Sequence, residues 1–300
     1  MSNGLVGAQS PAPSAEAVRI RGVSKDFGHG KDHTVALYDV DLDVAEREFL
    51  CIVGASGCGK STLLNLVAGL DQPSAGSVET NGHRVAFMFQ EASLFPWLTV
   101  NRNVELALKL RKVPKADRAD RVAELLELVR LGGRGNRRPH ELSGGMRQRA
   151  ALARVLAQDA DVLLMDEPFA ALDAMTRDTM HDEIERIWTE VGLTILFVTH
   201  NVREAVRLSD RTILMESGPG RVKSQYRIDL PRPRHQEDAA AAELSGQLTH
   251  ELKARWPAMS LDSQTESTAQ ERTELPPRAK QPLPGSGRRS GGLCVPASDR

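Results

Sequence analysis

Gly54-Ala55-Ser56-Gly57-Cys58-Gly59-Lys60-Ser61-Thr62 fits the pattern G-x-x-x-x-G-K-[ST]. Each residue type in it answers to the chemistry of a polyphosphate. Glycines at 54, 57 and 59 let the backbone curl until successive N–H groups face one concavity. Lys60 supplies a point charge for β- and γ-phosphates, and Ser61 offers an oxygen to Mg2+, which takes hard oxygen ligands. The whole run from Gly54 to Thr62 is assigned to nucleotide binding; the thiol of Cys58 is incidental to it. The alternative is a chance glycine-rich turn, and the flanking sequence argues against it. Phe49 to Val53 is a short apolar run that reads as a strand, and Lys60 to Leu70 reads as a helix whose positive N-terminal end would face the anion.

Outward from this loop, two further apolar runs have the length and composition of strands buried on both faces: Asp161 to Met165 and Thr194 to Thr199. Helices separate them. Met180, Ile184, Ile187, Trp188 and Val191 fall on one helical face, and Val122, Leu125, Leu126 and Val129 on another. Strands alternating with helices predict an α/β fold with a mainly parallel sheet. The stretch from about Glu91 to Gln158 lacks strand signals and reads as a helical insertion.

The second strand runs into Asp166-Glu167-Pro168, so two carboxylates stand at the C-terminal end of a buried strand, where open α/β sheets bind ligands. Neighbours on a strand point apart and can take separate tasks. Asp166 suits a Mg2+ ligand and Glu167 a general base that polarises water. Alone, the pair would read as a solvated turn; beside a phosphate loop it reads as chemistry. Leu142-Ser143-Gly144-Gly145-Met146-Arg147-Gln148-Arg149 places a hydroxyl and two glycines at the start of a helical run, which is a second anion site or an ordinary helix cap.

The phosphate loop, then LSGGMRQR, then Leu163-Leu164-Met165-Asp166-Glu167-Pro168, then Ala171-Leu172-Asp173, then His200 occur in this order. The set resembles the nucleotide-binding subunits of ATP-binding cassette (ABC) transporters, over roughly Val18 to Leu230. The resemblance implies a P-loop NTPase core with a helical subdomain and an antiparallel β subdomain, and ATP and Mg2+ as ligands. It implies two copies arranged head to tail, each ATP held between the phosphate loop of one and Ser143, Gly144 and Gly145 of the other. Phe27 matches the aromatic that stacks on adenine, although a core phenylalanine is the plain alternative. Gln90 matches the glutamine that touches Mg2+ and water and senses the membrane partner. Asp173 matches the inter-subunit loop, and His200 the histidine that bonds the γ-phosphate. Arg47 departs from the pattern: it stands in a turn where the family usually has glycine.

Leu94-Phe95-Pro96-Trp97-Leu98-Thr99-Val100, Met165 to Asp173, and Gly218-Pro219-Gly220-Arg221-Val222 resemble importers of nitrate, taurine and aliphatic sulfonates. The short link between Asn81 and Gln90 is most similar to the sulfonate members. The partners implied are transmembrane permease subunits and an extracytoplasmic solute-binding protein, and the place implied is the cytoplasmic side of the cell membrane. The domain layout expected is an arm over 1–17, the ATPase domain over 18–235 with the insertion at about 91–158, a helical extension over 236–259 and a disordered tail over 260–300.

Composition bounds the reading. The 300 residues carry 39 basic and 40 acidic side chains, a net charge of -1, so no global field draws the chain to nucleic acid. Aromatics make up 4 %, too few for a platform that stacks single-stranded bases. Cys51, Cys58 and Cys294 show neither metal spacing nor a disulfide framework, which suits a reducing compartment. The N-terminal residues lack the pattern of a signal peptide, and no apolar run approaches the ~20 residues of a membrane-spanning helix. Two rivals remain at this point. An ABC-type ATPase acting on nucleic acid or ribosomes would be expected to carry long heptads or tandem cassettes. A non-hydrolysing regulator would be expected to lack Glu167 or His200, and both are present.

Overall fold

Two long antiparallel strands open the described chain. β1 (Glu16–Phe27) and β2 (Thr34–Ala45) pair antiparallel, and β4 (Ala75–Glu79) pairs with the other edge of β1, giving a three-stranded sheet. The structure is a computed structural model describing residues 15–28, 30, 33–235 and 238–254. The expected disordered tail, Cys294, residues 1–14 of the arm, and the far end of the helical extension lie outside the described residues.

The second sheet has six strands in the order β5-β6-β7-β3-β8-β9, namely β5 (Val85–Met88), β6 (Val162–Asp166), β7 (Thr194–Thr199), β3 (Phe49–Gly54), β8 (Arg211–Glu216) and β9 (Arg221–Arg227). The first five are parallel and β9 runs antiparallel at the edge. This is an α/β P-loop NTPase core joined to an antiparallel β sheet. β3 and β7 are buried along their whole length, which is why they read as continuous apolar runs rather than alternating ones. Phe49, Cys51 and Val53 of β3 face one hydrophobic core, and Leu50 and Ile52 face the other. On the first face Phe49 packs against Phe197 and Trp188, with ring centroids 6.0 and 5.7 Å away.

Between β5 and β6 the described residues form helices and no strand. These are α2 (Val100–Leu110), α3 (Arg118–Leu128), a 3-10 turn at Pro139–Glu141 and α4 (Gly144–Leu156). Val104, Ala107 and Leu108 of α2 and Val122, Leu125 and Leu126 of α3 make buried stripes at helical spacing. The remaining helices are α1 (Lys60–Val67), α5 (Ala174–Val191), α6 (Val202–Leu208) and α7 (Ala239–Ala254).

Three local expectations change. α1 stops at Val67, three residues short of Leu70, because Gly69 takes φ +66° and turns the chain out, leaving Leu70 exposed. Val191 does not share the buried face of α5: it is the last helical residue and is 49 % exposed, while Met180, Ile184 and Ile187 are fully buried. Asp166 ends β6, but Glu167 is off the strand at φ +43°. The two carboxylates therefore diverge through a left-handed kink rather than through strand alternation.

Candidate functional site

β3 delivers the phosphate loop and α1 receives it. Gly57 and Gly59 sit at φ +78° and +91°, the left-handed region that favours glycine. A Cβ on Gly59 would lie 2.8 Å from the Ala36 carbonyl oxygen, and one on Gly54 2.7 Å from that of Met215. The loop is therefore pressed between β2 and β8, and its concavity is fixed by backbone contact. Lys60 is 5 % exposed, and its Nζ donates to the carbonyls of Gly54 and Ala55 at 2.9 and 2.7 Å. Cys58 is buried beneath the loop with its Sγ 3.8 Å from Lys60 Nζ, and burial pushes its thiol up.

A cavity of about 450 Å³ opens over this loop, lined by Ala36, Ser56, Gly57, Gly59, Lys60, Ser61 and Thr62 together with Gln90, Asp166 and Glu167. Motif residues from β3–α1, from the end of β5 and from the end of β6 thus converge on one space. Burial raises the Asp166 carboxyl above its ordinary range; the bond from Ser61 and the charge of Lys60 pull it back, and neighbouring Glu167 pushes it further up. Glu167 Oε2 lies 3.0 Å from His200 Nδ1, and the Glu167 N–H donates to the Val198 carbonyl at 3.0 Å. The carboxylate is thus held at the mouth of β6 between the cavity and the histidine that follows β7.

Mg2+ fits this donor set. The oxygens of Ser61, Asp166 and Gln90 are hard ligands, and the described residues contain no cluster of three or more His, Cys, Asp or Glu that would cage a metal alone. Mg2+ is normally held by one or two carboxylates and substrate phosphates, which is the arrangement available here.

Ser143, Gly144, Gly145 and Asp173 do not line the cavity. Ser143 is exposed and caps α4, its Oγ accepting from Met146 N–H at 3.3 Å. Asp173 caps α5 by accepting from Thr176 N–H at 3.0 Å, a bond that lowers its carboxyl below the ordinary range. The two caps meet: a Cβ on Gly144 would lie 3.3 Å from Leu172, and one on Gly145 2.4 Å from Thr176. Phe27 is also outside the lining. It pairs with Thr34 at the start of β2, two residues before the cavity residue Ala36, and its ring is 45 % exposed with Lys25 Nζ 5.0 Å from the centroid. That exposure rules out the core-phenylalanine alternative.

The ABC transporter family model matches residues 37–170. An uncharacterized ABC transporter ATP-binding protein of Methanocaldococcus jannaschii is 42 % identical over 243 residues, which cover 79 % of this chain and 91 % of that protein. The chain belongs to the ABC transporter family. An aliphatic sulfonates import ATP-binding protein of Burkholderia ambifaria is 47 % identical over 253 residues, 83 % of this chain and 75 % of that one. A solved ATP-binding cassette, dimeric and bound to ADP and Pi, superposes with a TM-score of 0.63 at 33 % identity, covering 71 % of this chain and 100 % of its own. This chain is therefore an ABC ATP-binding subunit, and among its described residues no helix is long and apolar enough to cross a membrane.

Within this cassette, residues not assigned to the site from sequence support it. Gln148, 5 % exposed in α4, donates from its amide to the Gln90 carbonyl at 2.9 Å. Arg154, two turns on, donates to the Ser93 and Ala92 carbonyls at 2.7 and 3.2 Å. Arg177 of α5 donates to the carbonyls of Phe169 and Leu172 at 3.3 and 2.7 Å, tying down the segment between Glu167 and Asp173. Glu204 of α6 accepts from Thr199 at 2.6 Å beside His200; burial opposes its ionisation, but Thr199 and His181 outweigh it and lower its carboxyl. Gln148 stood inside the quoted LSGGMRQR run, so a helical wheel could have marked it as facing inward. Arg177 and Glu204 carry no sequence signal: Arg177 bonds backbone carbonyls, and Glu204 bonds Thr199 across the turn between β7 and α6.

Proposed function

We propose that this ABC subunit hydrolyses ATP to energise an importer of small sulfonate-type anions, working as a head-to-tail pair of copies on the cytoplasmic side of the cell membrane. The observation that carries the reading is the single cavity in which Lys60, Ser61, Gln90, Asp166 and Glu167 converge, with His200 3.0 Å from Glu167.

The phosphate loop from Gly54 to Thr62 binds the triphosphate through backbone N–H groups, and Lys60 transfers its donors from loop carbonyls to phosphate oxygens. Ser61, Asp166 and Gln90 would hold Mg2+, which when bound neutralises charge on the β- and γ-phosphate oxygens. Glu167 orients and polarises the attacking water, and His200 holds the γ-phosphate and the Glu167 carboxylate together. Phe27 packs on adenine. Ser143, Gly144 and Gly145 of a second copy close over the same nucleotide, and Asp173 lies at that junction. ATP bridging both copies favours the closed pair, and hydrolysis releases it. Exposed Trp97, 68 % accessible, with Phe95 beside it, forms the surface for the permease, which works with an extracytoplasmic solute-binding protein. Nucleic acid has no place in this reading.

The sulfonate assignment is supported by relatives named for aliphatic sulfonates import, including the Burkholderia protein. Taurine is the second reading, favoured by a taurine import ATP-binding protein of Roseobacter denitrificans that is 46 % identical over 204 residues, 66 % of this chain. Nitrate is the third, from a Synechocystis relative named for nitrate import. Uptake of ethanesulfonate, taurine and nitrate in cells lacking this subunit discriminates them. For the mechanism, Glu167→Gln is expected to reduce turnover ~100-fold or more while ATP still drives dimer formation. Near-normal phosphate release by that variant would overturn the assignment.

A further inference from the structure

One buried acid outside the nucleotide cavity reaches both halves of the Glu167–His200 contact. Glu204 of α6 is 6 % exposed. Its Oε2 accepts from Thr199 Oγ1 at 2.6 Å, and its Oε1 faces Arg177 Nε at 3.7 Å and His181 Nε2 at 3.5 Å. Arg177 and the fully buried His181 therefore share one carboxylate oxygen, while Thr199 takes the other. An ionised carboxylate only accepts, so the Thr199 hydroxyl must donate to it. That leaves the hydroxyl's lone pairs for the Asn201 N–H, which donates to it at 3.0 Å. A carboxylate in the first turn of a helix ordinarily serves the helix end. Here Asn201 does that, accepting on Oδ1 from Arg203 N–H at 3.0 Å, and among the described residues no backbone N–H donates to Glu204.

Two branches leave Glu204. One runs through Thr199, whose hydroxyl closes the turn over residues 199–201 around His200. The His200 ring is 64 % exposed and has Glu167 as its only side-chain partner among the described residues. Its placement therefore rests on that backbone turn rather than on packing. The other branch runs through Arg177, which donates to the carbonyls of Phe169, Ala170 and Leu172 at 3.3, 3.5 and 2.7 Å. Ala170 N–H in turn donates to the Glu167 carbonyl at 3.2 Å. Glu167 sits at φ +43°, a conformation that persists in a non-glycine residue only where its surroundings impose it. The branches meet again around a cavity of about 40 Å³ whose lining includes Glu167, Arg177, Thr199, His200 and Glu204. That volume is far below the roughly 300–1,000 Å³ of a small-ligand site, so the space marks a junction of side chains.

We infer that Glu204 is a positioning residue for hydrolysis: it sets His200 through Thr199 and the Glu167 segment through Arg177, so one carboxylate holds the two groups 3.0 Å apart. Glu204 is absent from the lining of the nucleotide cavity and acts only through other side chains. The inference rests on the roles proposed above for Glu167 and His200. Phosphate release by the full chain, measured against ATP concentration, tests it, with the melting temperature as the check on folding. Two variants break one branch each. Glu204→Gln keeps an oxygen for Thr199 but turns an amide toward Arg177, and Thr199→Val keeps the shape of the residue but removes the donor. A misplacement of about 1 Å can cost about 100-fold in rate, so each variant is expected to lower kcat ~10-fold or more. KM for ATP should stay within about twofold of native, because the affected groups act in the transition state. Thr199→Ser restores the donor and should bring kcat back to within about threefold of native. Both branches act on one contact, so the losses in the double variant should fall short of the product of the single losses. Variants that melt lower but keep native kcat per folded chain would show a role in folding alone and overturn the inference. A raised KM with unchanged kcat would also overturn it. Glu204→Asp, which keeps the charge but shortens the reach, takes the place of Glu204→Gln with the same expectation if the glutamine variant fails to fold. Near-normal turnover in Glu167→Gln would overturn the underlying reading and this inference with it. Native turnover in Glu204→Gln beside an inactive Glu167→Gln would overturn this inference alone.

Discussion

Arg47 occupies φ +61°, donates its N–H to Thr194 Oγ1 at 2.9 Å, and accepts on its carbonyl from the Trp188 indole at 3.1 Å. Both bonds are made by backbone, so they survive any side chain, whereas the left-handed conformation costs a non-glycine residue roughly 1–2 kcal/mol. Glycine's larger unfolded-state entropy offsets part of that. Arg47→Gly is expected to raise the melting temperature by about 2 °C with unchanged turnover, read by thermal denaturation. Asp166 gives the opposite kind of residue-level prediction. Burial raises its carboxyl in the folded chain. A raised acid resists ionisation when folded, so its charge works against folding once pH passes the unfolded value of ~3.9, and the penalty is absent below it. Asp166→Asn is expected to melt higher than the native chain at pH 7.5, with the difference shrinking as pH falls toward about 4, while turnover is lost. A variant melting no higher than native at pH 7.5 would contradict the desolvation argument.

At the scale of elements, several motif residues are also helix caps. Ser143 caps α4, Asp173 caps α5 and Asn201, next to His200, caps α6 by accepting from Arg203 N–H at 3.0 Å. Loss of a cap costs about 1 kcal/mol, so a loss of activity at Ser143 would confound folding with chemistry. Two substitutions separate them. Ser143→Ala is expected to lower the melting temperature by about 2–4 °C. Ser143→Asp keeps a capping oxygen and complements the helix dipole, so its melting temperature should hold while its carboxylate repels the phosphates and turnover collapses. The sequence showed these elements unevenly. The buried strands were legible because Phe49 to Val53 and Thr194 to Thr199 are unbroken apolar runs, and Lys60 with its glycines marked the loop. Glu167's kink was not legible, because its positive φ is imposed by the N–H bond to Val198 on the neighbouring strand. Arg177 was missed because a part-buried side chain bonded to backbone carbonyls leaves no period in the chain, whereas Gln148 lay inside the quoted LSGGMRQR run, where helical spacing turns it inward. Val191 was misread because the apolar stripe continued to the last turn of α5, where the core no longer covers it.

For the whole molecule, the residues proposed to hold the phosphates and those proposed to close over them are apart in one chain, since Ser143 to Gly145 do not line the cavity of Lys60. Lys60→Ala and Ser143→Asp chains are each expected to be inactive alone. Mixed, they form pairs in which one composite site has both a native loop and a native cap, so phosphate release should recover to a substantial fraction of native. No recovery on mixing, with dimers present by light scattering, would refute the shared site. The bonds from Gln148 and Arg154 to residues 90–93 have a mechanical corollary. α4 is 13 residues, a rod of about 20 Å, with Ser143 at its head and Arg154 near its foot. Any tug on the aromatic turn at Phe95 and Trp97 that drags this fastened stretch is transmitted by the rod to Ser143, so a single chain carries its own tie-bar from its outer aromatic face to the edge where a neighbour would engage.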